Sequence, residues 1–170
     1  ITNAKLASEC SNIYAQAKTD YNNAYLASMR SVYGNKLDAL LTEYKFTDDT
    51  YSQKAQEVIN KQKENVNKAK NETTMEKCYN LAKDSLEKLV SAQDTAAKLA
   101  QAKTDAIAKI KAMVTNPTDT SNKIIDTYIE KINQATSEDD INKLVEECQQ
   151  ALKDAGTDTN NTADASKLAQ

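Results

Sequence analysis

Apolar residues recur at steps of three and four along most of the chain, which is the period of an amphipathic α-helix. No segment shows the strict alternation expected of a half-buried strand. The apolar stripes are narrow and comprise Leu37, Leu40, Leu41 and Tyr44; Val58, Ile59 and Val66; Met75, Cys78, Ala82, Leu86 and Leu89; Ile107, Ile110 and Val114; Ile125, Tyr128, Ile132 and Ala135; and Ile141, Leu144, Val145, Cys148 and Leu152. This pattern predicts an all-α protein.

Short polar segments interrupt the stripes and predict where helices end and begin. They lie at residues 47–50, 71–74, 115–119 and 136–140. Two of them contain the spacing of a capping box, Thr73 with Glu76 and, in a weaker form, Ser137 with Asp140. The segments divide the chain into five predicted helices, at 3–45, 51–70, 74–114, 119–135 and 139–155.

The chain also repeats itself, and the repeat predicts its organisation. A shift of 66 residues places Ile59 on Ile125 and Leu86 on Leu152. A shift of 67 residues extends the match upstream, from Lys36, Asp38, Ala39 and Leu40 to Lys103, Asp105, Ala106 and Ile107. We attribute the difference between the two shifts to a loop.

Each repeat reads as three helices joined by short loops, and short loops force neighbouring helices to be antiparallel. No helix breaker lies between Met75 and Val114, so one helix should continue from the first unit into the second. We therefore expect an elongated all-α molecule made of two tandem three-helix bundles that share one long continuous helix. The predicted segments are an N-terminal helix extension at 1–33, a first unit at 34–92, a second unit at 93–155 and a disordered tail or linker at 156–170.

The N-terminal extension, residues 1–33, has two interpretations. It is either the last helix of an upstream repeat or an extension that packs back on the first unit.

Composition supports long helices and limits the partners. The 170 residues include only two Gly and one Pro, the residues that interrupt helices most strongly, so long helices are favoured. The net charge of −3 comes from alternating Lys, Asp and Glu, so no basic surface is available for a nucleic acid. No segment has the ~20 apolar residues that a membrane-spanning helix needs, and we expect no membrane insertion.

The three cysteines are Cys10, Cys78 and Cys148. Their odd number and wide spacing argue against a disulfide framework and against a zinc site. We expect buried or half-buried thiols, because free Cys is usually found inside proteins. The alternatives are a single disulfide within the chain or one between two chains.

The residues that most catalytic mechanisms use are missing. The chain contains no His, which removes the commonest general base and the commonest zinc ligand. Neither glycine lies in a G-x-G or Walker sequence. The acidic group Glu138, Asp139 and Asp140 is interpreted as the first turn of a helix, where acids offset the positive end of the helix dipole. We expect no enzymatic activity, no cofactor and no metal.

The second unit resembles a known group of repeats. Residues 99–103, Leu-Ala-Gln-Ala-Lys, open a helix, and residues 132–141, Ile-Asn-Gln-Ala-Thr-Ser-Glu-Asp-Asp-Ile, lead from a second helix into a third. These segments resemble the three-helix repeats of Gram-positive cell-surface proteins, in particular the albumin-binding GA modules and the FIVAR-type repeats. The resemblance covers residues 99–155 and, more faintly, 36–89. It implies an extracellular or cell-surface bacterial setting and a binding or spacer role.

This sequence also departs from the GA pattern. The stretch between the two motifs is longer by about two helical turns. A turn made of Thr115, Asn116, Pro117 and Thr118 replaces one that contains Gly. Albumin contacts are therefore not transferred to this chain.

One set of side chains is a candidate interaction surface. Tyr14, Tyr21, Tyr25 and Tyr33, with Met29 between them, recur at steps of seven, four and eight along the first predicted helix. They form either a seam against another helix, within the chain or across a dimer, or an exposed patch for a protein or glycan partner. Tyr suits such a patch because it supplies a large contact area at low entropy cost. The exposure of the rings distinguishes these interpretations.

Three functions agree with these observations. The first is a monomeric, non-catalytic, extracellular surface-protein segment that acts as a spacer or adhesin-like repeat. The second is a protein-binding module that engages a host or partner protein through helix faces, which an exposed apolar patch would favour. The third is a coiled-coil oligomerisation element.

Overall fold

The computed structural model of the protein describes residues 2–157, so most of the predicted tail at 156–170 lies outside the described residues. Within residues 2–157 the secondary structure consists of helices without strands, and the predicted all-α class is confirmed. The five helices are α1 (Thr2–Glu43), α2 (Asp49–Lys68), α3 (Glu72–Lys111), α4 (Asp119–Gln134) and α5 (Glu138–Asp154).

Side-chain caps explain where several helices begin. Asp48 precedes α2, and its carboxylate accepts hydrogen bonds from backbone amides of the first turn. Thr118 and Ser121 form a reciprocal capping box at the start of α4. The predicted cap at α5 is confirmed, because the Ser137 hydroxyl accepts from the Asp140 amide at 3.1 Å. These bonds satisfy amide groups that have no partner within the helix.

The cap predicted at the start of α3 is wrong. The helix begins at Glu72, so Thr73 lies inside it rather than before it. The capping side chain is Asn71, whose Oδ1 accepts from the Thr74 amide and from the Thr74 hydroxyl, each at 2.8 Å. Asn is among the best residues at this position, and here it precedes the Thr that the sequence motif singled out.

A glycine ends α5. Gly156 has a positive φ of 65° and its amide donates to the Lys153 carbonyl, while the Thr157 amide donates to the Leu152 carbonyl. These two bonds form a Schellman motif, in which a left-handed residue closes the last turn. The first residues of the predicted tail, 156 and 157, therefore belong to the end of the helix.

Within residues 2–157 the chain divides into two compact units, and the boundary falls between Gln93 and Asp94. In the first unit, α1, α2 and the first part of α3 share one core: Tyr33, Leu37, Leu40, Ala55, Ile59, Val66, Ala69, Met75, Cys78, Ala82 and Leu86. In the second unit, the last part of α3, α4 and α5 share another: Ala106, Ile110, Ile125, Ile132, Ile141, Val145, Cys148 and Leu152. Helix α3 contributes side chains to both.

The repeat holds for only part of each unit. The shift of 66 residues relates buried positions, such as Ile59 with Ile125. The shift of 67 residues pairs the exposed Ala39 with the buried Ala106, so this upstream match was wrong. Helix α2 has 20 residues and α4 has 16, so the two units differ by about one helical turn in their second helix rather than by one loop residue.

Polar contacts hold the helices of the first unit in place. The Lys63 ammonium lies 2.7 Å from the Asp38 carboxylate and joins α2 to α1. The Gln93 side-chain oxygen accepts from the backbone amides of Thr47 and Asp48, at 3.0 and 3.2 Å. Gln93 thereby ties the end of the first unit's part of α3 to the loop between α1 and α2.

Candidate functional site

Helix α1 changes character along its length. Every side chain from residue 5 to residue 25 is exposed. Further along, Tyr33, Leu37 and Leu40 lie in the core of the first unit. The helix thus has a covered C-terminal part and an N-terminal part whose apolar side chains contact water.

The predicted tyrosine stripe spans both parts. Tyr14 and Tyr21 are each 71% exposed, whereas Tyr33 is 5% exposed and belongs to the core. Met29 is half-buried and packs against the same core. Tyr25 lies between these groups and is 42% exposed. The five residues therefore do not form one continuous surface.

Tyr25 marks the boundary between the two parts. Its hydroxyl donates to the Glu72 carboxylate at 2.5 Å, and its ring stacks on Tyr21 with the centroids 6.5 Å apart. The hydrogen bond to Glu72 raises the pKa of the Tyr25 hydroxyl, with a smaller contribution from burial. Nearby, the Arg30 guanidinium donates to the Ala69 carbonyl at 2.8 Å. These contacts hold α1 against the turn between α2 and α3.

Other apolar side chains share the exposed part with the tyrosines. Leu6 is 55% exposed and Ile13 is 69% exposed, and Cys10 is an exposed free thiol. We call Leu6, Cys10, Ile13, Tyr14, Ala17 and Tyr21 the α1 exposed face. Leu6 and Ile13 were not predicted as part of this surface, although their separation of seven residues places them on one side of a helix.

The cysteines differ in their surroundings. Cys78 and Cys148 are buried free thiols, as expected, and burial raises the pKa of each. The expectation of a buried or half-buried thiol was wrong for Cys10, because the surrounding part of α1 has no neighbouring helix in the structure.

A hexapeptide occurs twice and links the α1 exposed face to the second unit. Residues 15–20 and 100–105 both read Ala-Gln-Ala-Lys-Thr-Asp. Both copies are helical and make the same local hydrogen bonds. The bonds are Gln16 to Asp20 at 2.9 Å, Gln101 to Asp105 at 2.8 Å, Thr19 to the Ala15 carbonyl at 2.9 Å and Thr104 to the Ala100 carbonyl at 3.0 Å.

The two copies differ in what covers them. In α3, Lys103 donates to the Asn133 carbonyl at the end of α4, at 2.8 Å. The positions that follow this copy, Ala106 and Ile110, lie in the core formed with α4 and α5. The equivalent positions in α1 are Tyr21 and Tyr25, which are exposed. Within the α1 exposed face, the positions of Tyr14, Ala17 and Tyr21 correspond to Leu99, Ala102 and Ala106, which neighbouring helices cover in the second unit. The positions of Leu6, Cys10 and Ile13 correspond to exposed residues of α3.

The described residues hold no cluster of three or more His, Cys, Asp or Glu side chains that could bind a metal ion. Within the same residues, none of the helices combines the length and apolar character needed to cross a membrane. No protein-family model, no curated protein and no solved structure matches the chain.

Proposed function

We propose that the chain is a non-catalytic helical interaction module and that the α1 exposed face binds a helix of a partner protein. The observation that carries this proposal is the duplicated hexapeptide. In α3 its copy lies against α4 and α5, whereas in α1 the same side of the helix carries large apolar side chains and is uncovered. A helix is therefore the kind of element that fits this face.

The composition of the face supports the same conclusion. Tyr14 and Tyr21 provide large exposed rings with a hydroxyl at the tip. Tyrosine is enriched at protein–protein interfaces. Leu6 and Ile13 add aliphatic area on the same side. The absence of His from the sequence supports the non-catalytic part of the proposal.

The setting that we propose is the extracellular surface of a Gram-positive bacterium. This part rests on the resemblance of residues 99–155 to three-helix surface repeats. A protein or glycan exposed at that surface is the class of partner that it implies.

A spacer or adhesin-like repeat is the second candidate function. The division into two compact units, each with a core of its own, favours it, because modules with separate cores can be joined in series. As a spacer, the chain would be monomeric and would present a neighbouring domain without using the α1 exposed face.

Site-specific photo-crosslinking separates the two candidates. A benzophenone amino acid replaces Tyr14 or Tyr21 on the α1 exposed face, and Asn12 or Asn23 on the opposite side as a control. In the cells that produce the protein, the first pair should give a discrete protein adduct that the control pair lacks. The adduct partner is then purified, and Y14S/Y21S should weaken its binding at least tenfold while N12S/N23S leaves it unchanged. Equal adducts from both sides, or none, would contradict the interaction module and favour the spacer.

Light scattering tests whether the partner is a second copy. The monomer mass is 18.8 kDa, and we expect that mass across the concentration range. Twice this mass in the native protein, together with the monomer mass in Ile13→Asp, would identify the α1 exposed face as a homodimer interface. The chain would then be an oligomerisation element instead.

A further inference from the structure

A second uncovered surface lies in the first unit, away from the α1 exposed face. It is a groove of about 470 Å³ between α2 and α3, open to solvent on one side. Val58 and Leu89 form its apolar floor, and both are half-buried. Leu81 lies two turns before Leu89 on the same side of α3, with Ser85 between them. It is 55% exposed, so it extends the uncovered apolar stripe of this helix.

The rim of the groove is positively charged. Lys54 and Lys61 of α2 and Lys88 of α3 line it, together with the single acid Glu57. All three lysines are exposed. Among the described residues, the ion pair with charged atoms within 4 Å of each other is Lys63 with Asp38. None of the three lysines on the rim forms an ion pair with those residues. The Lys54 ammonium lies over the Tyr51 ring, 5.3 Å from its centroid, and this contact leaves its positive charge unneutralised. A carboxylate of a ligand can therefore pair with each of the three lysines.

The second unit lacks this combination. The shift of 66 residues that relates the two cores places Thr120, Thr127 and Asp154 at the positions of Lys54, Lys61 and Lys88, and it places Glu147 at the position of Leu81. The same shift places Lys123 at the position of Glu57, so the residues of the second unit that are equivalent to the groove lining carry one positive and one negative charge. A groove elsewhere between α4 and α5 is lined by Lys131 and Lys143 with Asp140 and Glu147, and its charges also balance. A basic rim is thus not a requirement of the three-helix arrangement, because the related unit has none.

We propose that the groove between α2 and α3 binds an acidic amphipathic helix of a partner protein. The apolar side of such a helix covers Val58, Leu81 and Leu89, and its carboxylates pair with the lysines on the rim. Helices commonly bind in this way, with apolar anchors at i, i+4 and i+7 in a groove between two helices. Complementary charge sets the orientation and raises the rate of association.

The shape of the groove favours a helix over a small amphiphilic anion. The groove is open along one side, so an alkyl chain lying in it would keep much of its surface in water. A helix covers the groove with one face and keeps its polar face solvated. The lysines also lie on both walls of the groove, which suits carboxylates on both edges of a helix rather than one headgroup.

The test uses the full chain and a defined probe. The probe is a synthetic helical peptide of about 20 residues, with Leu along one side and Glu on both flanks of that stripe. Titration followed by NMR should shift the resonances of Val58, Ser85 and Leu89 and leave those of Tyr14 and Tyr21 unchanged. K54E/K61E should weaken binding at least tenfold, and higher salt should weaken binding to the native protein.

Matched controls exclude a non-specific effect of charge. T120E/T127E places Glu at the equivalent positions of the second unit, with half the change in net charge, and should leave the affinity unchanged. A peptide with Lys in place of Glu should not bind the native protein but should bind K54E/K61E, whose folding is checked by its helical circular dichroism and thermal midpoint. Equal binding of both peptides to the native protein, absence of binding, or shifts confined to α1 would overturn the proposal. Because Y14S/Y21S leaves this groove intact, failure here is distinguishable from failure of the α1 exposed face.

Discussion

The two copies of Ala-Gln-Ala-Lys-Thr-Asp, at residues 15–20 and 100–105, show how the same local sequence acquires two different surroundings. Both copies are helical and make matching hydrogen bonds between side chains and between side chain and backbone. The copy in α3 lies close to the end of that helix at Lys111. After the following loop, α4 runs back along α3. The copy in α1 is followed by further helix as far as Glu43, so α2 returns along a later part of the helix.

Helix formation is therefore decided locally, whereas burial of the helix by other helices is not. The Ala, Gln and Lys of the hexapeptide favour a helix wherever it occurs. Whether its apolar side is buried depends on where the next loop falls. The residues that follow differ accordingly, with Ala106 and Ile110 in the core of the second unit and Tyr21 and Tyr25 exposed in α1.

The largest contrast that we predict is between thiols. Cys10 lies on the α1 exposed face, whereas Cys78 and Cys148 are buried, and burial raises the pKa of the two buried thiols. In native protein Cys10 should react with a thiol reagent at once, and the other two on the order of a thousandfold more slowly, because they require unfolding. The rates are measured by mass spectrometry, with Cys10→Ser as the control. Similar rates for all three would contradict the contrast.

Core and exposed leucines of α1 should differ in their effect on stability. Leu37 is fully buried and Leu6 is 55% exposed. Leu37→Ala should lower the free energy of unfolding by about 2–5 kcal/mol, since it removes apolar contacts and leaves a cavity. Leu6→Ala should change it by less than about 0.5 kcal/mol. Urea unfolding measures both, and a large loss in Leu6→Ala would show that the N-terminal part of α1 is covered in solution.

Stability at high pH should depend on Tyr44, at the covered end of α1. Burial and then a 3.0 Å hydrogen bond to Glu87 raise the pKa of Tyr44 to about 12. The unfolded value is about 10, so the folded state holds this proton more tightly. This contribution is present below pH ~10 and is lost as the pH rises towards 12. Tyr44→Phe should reduce that loss in thermal unfolding between these pH values, and an unchanged pH dependence would contradict the account.

The smallest predicted effects concern glycines. Gly34 lies inside α1 and a Cβ atom there would meet nothing within 4 Å. Gly34→Ala should therefore raise the free energy of unfolding by about 0.5–1 kcal/mol. Gly156→Ala serves as the contrast and should lower it by about 1 kcal/mol, because a positive φ is unfavourable for Ala. Destabilisation by Gly34→Ala would indicate a contact on that side of α1.

The sequence predicted the helices well because their causes are local. Apolar periodicity placed all five within a few residues, and the cap at Ser137 was predicted correctly. The cap at Thr73 failed because Asn71, two residues earlier, competes for the same role. The predicted match between the first helix of one unit and the first helix of the other failed because α4 is shorter than α2. No local signal in the sequence reports where a helix begins to be covered by its neighbours.

The tyrosine stripe was harder to interpret for a geometric reason. From Tyr14 to Tyr33 a helix with 3.6 residues per turn rotates by roughly 100° beyond a whole number of turns. Spacings of seven and four therefore drift around the helix, so the tyrosines do not share one side of it. In addition, all side chains of residues 5–25 are exposed, so Tyr14 is uncovered while Tyr33 lies in the core. The basic groove between α2 and α3 could not be found from sequence either, because its lysines come from two helices whose pairing is set by packing.

Amide hydrogen exchange on the intact protein measures whether the N-terminal part of α1 is covered. An uncovered helical segment is only marginally stable in water, because most helical stability comes from packing. In free protein the amides of residues 6–22 should exchange quickly, while those around Leu37 and Leu40 should be protected to nearly the free energy of global unfolding. Equal, strong protection of both parts of α1 would contradict the account, since it would mean that the α1 exposed face is already covered.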